Sequence, residues 1–238
     1  MSNYSLHVLY EDNHLLVVNK PAGLPTMGVA DDRPSLLALA REYVKQKYDK
    51  PGNVYLGVVS RLDAPVTGVL VIARTSKSAG RLNEAFRSRA VEKIYLALGE
   101  GQIEPPDGCL EHHLRKDERH RRMHTTSPKT PGAQQAVLHY RTREILNDRS
   151  LLEIALETGR KHQIRVQLAK SGHPILGDRK YGATTPFAKG IALHSWRITL
   201  DHPVRREPLI VTAPLPGYWP KLNSMPAADE NSPARELP

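Results

Sequence analysis

Hydrophobic positions come mostly as short, closely spaced runs along this chain, with few stretches of helical spacing. Residues 6–19, LHVLYEDNHLLVVN, read as two β-branched runs split by the polar turn Glu11-Asp12-Asn13. Lys20-Pro21-Ala22-Gly23-Leu24-Pro25 then breaks regularity twice. From Asp32 to Tyr48 the spacing predicts a helix, with Leu36, Leu39, Ala40, Tyr43 and Val44 on one face. Asp32 is placed to cap it, Pro34 suits its first turn, and Pro51-Gly52 closes the segment. The next apolar runs, Val54–Ser60 and Gly68–Ala73, flank the polar elbow Arg61-Leu62-Asp63-Ala64-Pro65. Pro65 keeps Ala64 out of the helical region, so the elbow is a loop held between strands. A second helix, capped by Ser76 and running to about Ser88, buries Leu82, Ala85 and Phe86.

Ile94–Leu98, Ala136–Tyr140, Leu151–Leu156 and Ile191–Leu200 read as further strands. A third helix begins near Arg160, places Ile164 and Leu168 one turn apart, and stops at Ser171-Gly172 before Pro174. Strands outnumber helices and do not alternate regularly with them. That favours an α+β fold with a mixed sheet over a doubly wound one. The final stretch, NSMPAADENSPARELP, has almost no large apolar residues. Residues 1–220 are therefore assigned to the folded domain and 221–238 to a disordered tail.

Charge adds a partner class. Lys and Arg total 34 against 25 Asp and Glu, a net +9, which favours a polyanion through phosphate neutralisation. No apolar run approaches the roughly 20 residues of a membrane helix, and the start lacks a basic-then-apolar leader. A cytoplasmic protein with no membrane partner is expected. Cys109 is the single cysteine, so no intrachain disulfide forms.

Common cofactor and nucleophile signatures are missing. There is no P-loop and no Gly-x-Ser-x-Gly elbow, and Gly99-Glu100-Gly101 runs into Pro105-Pro106 rather than a helix. No cofactor is expected. Residues 109–124, CLEHHLRKDERHRRMH, crowd Arg115, Lys116, Arg119, Arg121 and Arg122 into one short stretch. Cys109, His112, His113, His120 and His124 could be drawn as metal ligands, but their spacing matches no zinc pattern and the adjacent cations repel a metal. No metal is expected. Two readings stay open for the segment, a solvated charged hairpin and an RNA-backbone contact. In residues 158–182, TGRKHQIRVQLAKSGHPILGDRKYG, His162 and Arg165 share a helix face. A guanidinium buried beside Ile164 and Leu168 needs a carboxylate, and Asp63 is one candidate. Asp63 on local pattern alone is better explained by a turn cap than by chemistry.

Four blocks in order change that balance. HVLYEDNHLLVVNKPAGLPTMG, SRLDAPVTGVLVIART, EKIYLALGEG and TGRKHQIRVQLAKSGHPILGDRKYG resemble the pseudouridine synthases of the RluA type, a likeness extending from Val8 to about Leu215. The resemblance implies an α+β pseudouridine synthase fold: a mixed, mainly antiparallel central sheet, flanking helices and a basic cleft. It implies that residues 1–220 form the catalytic domain, without the small N-terminal RNA-binding module of some relatives. Asp63 matches the catalytic aspartate, Tyr95 the tyrosine that stacks on the target base, and Arg165 the arginine that pairs with the carboxylate. Arg61 and Leu62 complete the motif around the target nucleotide, while Arg115, Lys116, Arg119, Arg121 and Arg122 fall where the family contacts RNA. Arg160 and His162 join that RNA-binding set. The implied partner is a stem-loop of ribosomal or transfer RNA.

The residue types suit the reaction so implied. An ionised aspartate attacks the sugar or base, or removes a sugar proton, and a neighbouring arginine keeps it ionised. The detached uracil must be retained in a closed pocket with an aromatic floor, and the target base must leave its stack. The family pattern is not matched everywhere. Ser60 and Gln167 stand where many members carry histidine, and Val66-Thr67-Gly68 replaces the usual Thr-Ser-Gly. The competing reading is a non-catalytic RNA-binding protein on the same scaffold, against which Asp63, Tyr95 and Arg165 all stand intact.

Overall fold

The computed structural model describes residues 4–28 and 33–224. Asp32, the expected first helix cap, and the tail beyond Ser224 lie outside those residues. In chain order the elements are β1 (His7–Glu11), β2 (Leu15–Lys20), α1 (Leu36–Lys47), β3 (Gly57–Val58), β4 (Thr67–Ala73), α2 (Ser76–Arg87) and β5 (Glu92–Glu100). There follow β6 (Asp107–Asp117), β7 (Arg122–Thr126), β8 (Gln134–Leu146), β9 (Arg149–Leu156), α3 (Gln163–Lys170), β10 (Leu193–Asp201) and β11 (Pro208–Thr212), with a 3-10 turn at Arg179–Tyr181. The chain forms two compact units. Among the described residues, one comprises those from Tyr4 to Val91 with Ser195–Leu215, and the other comprises Glu92–His194 with those from Pro216 to Ser224. The α+β reading is met, with three helices on mainly antiparallel strands.

In the first unit β1 pairs β2 and β2 pairs β4, both antiparallel, with β10 beyond β4. The uninterrupted apolar runs of β2 and β4 have a simple cause: both faces are covered. Leu15, Val17, Val69 and Val71 pack with Ala79 and Leu82 of α2. Their alternates Leu16, Val18, Leu70 and Ile72 pack with Leu36, Ala40 and Val44 of α1. Successive strand side chains point to opposite faces, so a strand roofed on both sides has no polar position to spare. Each fully buried Leu, Ile or Val contributes about 1.5–3 kcal/mol.

Both early helices start where a hydroxyl accepts a first-turn N–H. Ser35 Oγ accepts from Ala38 N at 3.2 Å, and Thr75 Oγ1 accepts from Ser78 N at 3.1 Å. The second cap thus falls one residue before the expected Ser76. A chain has several Ser, Thr and Asp near each helix start, and only backbone geometry selects among them.

The second unit is a run of antiparallel strands in the order β5-β9-β8-β6-β7. Helix α3 is buried from Gln163 to Leu168, which is why it shows little amphipathic contrast. Its polar residues are used internally. Gln167, at the position where the family often has histidine, donates from Nε2 to Leu110 O and Ala136 O at 2.8 and 3.1 Å. That ties α3 to β6 and β8. At the start of the expected tail, Asn223 N and Nδ2 each donate to the Glu144 carboxylate at 2.9 Å.

Candidate active site

The Asp63 elbow is held from below by a single turn. β2 ends at Lys20, and Pro21 to Pro25 then bring the chain back under residues 61–66. Gly23, at φ +83°, donates its N–H to Ala64 O at 2.8 Å. Thr26 Oγ1 donates to Leu62 O at 2.8 Å and accepts from Leu62 N at 3.2 Å. Val66 N closes the elbow on Asp63 O at 3.0 Å. Four residues of the elbow are therefore fixed through their backbones, and the Asp63 side chain is half-buried. Gly68, at φ +112°, is required where β4 begins: a Cβ there would lie 2.1 Å from Ser195 O.

Lys20 is the least expected member of this arrangement. Its side chain is fully buried, and Nζ donates to Pro21 O, Leu24 O and Ala64 O at 2.8, 2.9 and 3.0 Å. Three carbonyls match the three N–H bonds of an ammonium, whereas a neutral amine would turn a lone pair toward one of them. Burial pushes the group down from 10.5 to about 7, and the carboxylate of Asp63 pulls it back up. Removing Lys20 should therefore act on both stability and the elbow. Lys20→Met is expected to cost about 1–3 kcal/mol by orphaning buried carbonyls. The folded state binds the Lys20 proton less tightly than the unfolded chain, so its contribution is least favourable below pH 7 and improves as pH rises from about 7 toward 10.5. Denaturant unfolding at about pH 6 and about pH 9 should show the wild type gaining on Lys20→Met at the higher pH. An equal gap at both would contradict the assignment.

In the second unit, Tyr95 sits on β5 opposite Ile154 of β9. Tyr95 is half-buried between the buried Ile94 and Leu96, and strand alternation puts its ring on the opposite face of β5 from theirs. Arg165 lies on α3 with its side chain 6% exposed. Its buried carboxylate at Nε and Nη2 is Asp178, itself 1% exposed, in a bidentate pair at 2.7 and 2.8 Å. Sequence reasoning asked for a carboxylate partner but missed this one, which lies thirteen residues downstream beyond a loop. The Arg165 guanidinium carbon also stands 5.0 Å from the centre of the Tyr181 ring. His162 precedes α3 at φ +53°, and its Nδ1 lies 2.7 Å from the Tyr181 hydroxyl. Arg160 Nε donates to Gln135 O at 2.9 Å.

The basic segment forms a projecting hairpin of β6 and β7, paired from His113↔Thr126 to Asp117↔Arg122. Arg115, Lys116, Arg119, Arg121 and Arg122 are all exposed. Lys116 meets Glu118 at 2.6 Å and Arg122 meets Asp117 at 3.9 Å. Asp117 also accepts from His120 N at 3.0 Å, a bond that lowers its pKa and pins the hairpin tip. Among the described residues Arg115, Arg119 and Arg121 form no ion pair, so their charge faces solvent. The solvated-hairpin reading and the RNA reading thus describe the same object. The histidines and Cys109 of this segment do not converge: among the described residues no three His, Cys, Asp or Glu side chains are grouped to hold a metal.

Comparison with known proteins places these features. Residues 14–170 match the sequence profile of the RNA pseudouridylate synthase family. An RNA pseudouridine synthase of Bacillus subtilis (YhcT) is 34% identical over 216 residues, covering 89% of this chain and 69% of that protein. The ribosomal large subunit pseudouridine synthase D of Nitrosomonas europaea is 36% identical over 221 residues, covering 89% of this chain and 62% of that one. The chain thus spans 62–69% of the length of these two relatives. Among solved structures, human RNA pseudouridylate synthase domain containing 4 superposes with a TM-score of 0.74 at 27% identity, covering 89% of both chains. With the strands, the elbow and the profile in agreement, this chain belongs to the RNA pseudouridylate synthase family and is an isomerase acting on RNA.

Proposed function

We propose that the protein converts particular uridines of ribosomal or transfer RNA to pseudouridine, in the cytoplasm, with Asp63 as the carboxylate that starts the reaction. What supports this reading is the elbow itself: Leu62, Asp63, Ala64 and Val66 are held through their backbones, Lys20 Nζ donates to Ala64 O, and the Asp63 side chain is half-buried. Attack or proton removal requires the carboxylate in its ionised form. The bond from the sugar C1′ to N1 breaks and a bond from C1′ to C5 forms. N1 gains a proton and the C5 proton is lost, so the reaction balances without a redox partner. Tyr95 supplies the platform on which the detached uracil turns, and Arg165 the cation that stabilises the carboxylate. Arg61 and Leu62 flank the nucleotide.

The hairpin holds the RNA backbone in this reading, with Arg160 and His162 adding to the surface. The direct test of activity is tritium release from [5-³H]uridine-labelled total RNA. Release is expected with the wild-type chain, and binding without release would favour a non-catalytic RNA-binding protein. Replacing Arg115, Arg119 and Arg121 together with Gln is expected to flatten the salt dependence of RNA binding by a slope of about 2–3, since each phosphate contact contributes roughly 0.7–0.9. An unchanged slope would exclude the hairpin from the interface.

A further inference from the structure

The turn Asp178–Tyr181 touches both the basic hairpin and the buried arginine. At its first residue Asp178 holds Arg165 through two bonds of 2.7 and 2.8 Å. Next, Lys180 Nζ donates to Arg121 O at the hairpin tip at 2.6 Å. At its last residue the Tyr181 hydroxyl accepts from Met123 N of β7 at 3.0 Å. The same hydroxyl is hydrogen-bonded to His162 Nδ1, 2.7 Å away. The ring edge faces His162 at 5.7 Å and 87°, and the ring packs against the cluster of Leu114, Met123, Ala136 and Val166. Tyr181 N in turn donates to Asp178 O at 2.9 Å, so the whole turn is one tight hydrogen-bonded piece. Gln163 and Gln167 separately fasten α3 to the strands.

We propose that Tyr181 is a positioning residue that couples RNA engagement by the β6–β7 hairpin to the seating of Arg165. Packed side chains and short hydrogen-bonded turns transmit small shifts because they cannot deform independently. A displacement of β7 on RNA moves Met123 N; the Tyr181 hydroxyl follows, and its ring lies against the guanidinium. The inference rests on the hairpin being an RNA contact, and the test separates the two.

Tyr181→Phe removes only the hydroxyl and keeps the ring beside Arg165. It is compared with the Arg115→Gln, Arg119→Gln, Arg121→Gln triple variant and with the combination of all four changes. The measurements are single-turnover tritium release at saturating labelled total RNA, RNA affinity, and the thermal midpoint. Tyr181→Phe is expected to slow release about tenfold with affinity nearly unchanged, a loss confined to the bound complex. In the triple-variant background the same substitution should slow release by less than about twofold, since the hairpin no longer drives the turn. Losses that simply multiply, no loss at all, or a loss that follows a falling midpoint would each overturn the coupling. A triple variant with wild-type affinity would overturn the hairpin reading and the coupling together.

Discussion

Asp63→Asn is expected to lower the single-turnover rate of pseudouridine formation by roughly ten-thousandfold or more, with RNA affinity changed little. The substitution keeps size and hydrogen-bonding ability but removes the negative charge on which attack or proton abstraction depends. The bonds through Leu62, Ala64 and the backbone of Asp63 do not involve the carboxylate and stay in place in the variant. One secondary effect follows from the charge. Asp63 raises the Lys20 pKa against the pull of burial, so Asp63→Asn should lower it further from about 7. Binding and tritium-release assays on the same RNA check the first expectation, and chemical labelling of Lys20 as a function of pH checks the second. Retention of more than about a tenth of wild-type rate would remove Asp63 from the central role.

The second large effect concerns Asp178, which no motif argument singled out. Asp178→Ala leaves the Arg165 guanidinium buried without the carboxylate at Nε and Nη2, and is expected to cost about 3–5 kcal/mol of stability. Arg165→Met leaves Asp178 similarly stranded. The combination Arg165→Met with Asp178→Leu replaces a buried ion pair by apolar groups and should recover much of that stability. It should recover none of the activity, because the cation itself is gone. Denaturant unfolding with tritium release on all three variants makes the comparison. Activity in the stable double variant would show that Arg165 serves only the fold.

These effects indicate what was legible in the sequence. LLVV and GVLVIA read as strands because they are short apolar runs, and the burial of both faces of β2 and β4 is the physical cause of those runs. The stripe of α1 was equally plain. Strands β6 and β7 gave no comparable signal beyond the hairpin possibility. Their exposed faces carry the charged residues, and alternation is masked when two successive positions such as Arg115 and Lys116 both stay in solvent. β11 was missed because it is short and opens on a proline, which suits only a strand start or edge.

The site divides similarly. Asp63, Tyr95 and Arg165 stood out through ordered blocks, not through local propensity. Lys20 and Asp178 did not, and for physical reasons. A lysine is ordinarily a surface residue, and nothing in NKPAGLP announces three carbonyls converging on one ammonium. Asp178 meets Arg165 only once the loop after α3 has folded back, a contact that sequence spacing does not encode.

The most direct measurement is a transcriptome-wide map of pseudouridine in cells lacking this protein, complemented with the wild-type chain or with Asp63→Asn at equal abundance. A small set of ribosomal or transfer RNA uridines should lose modification on deletion, regain it with the wild type and remain unmodified with Asp63→Asn. Restoration of those sites by Asp63→Asn, or a map that deletion leaves unaltered, would contradict the account.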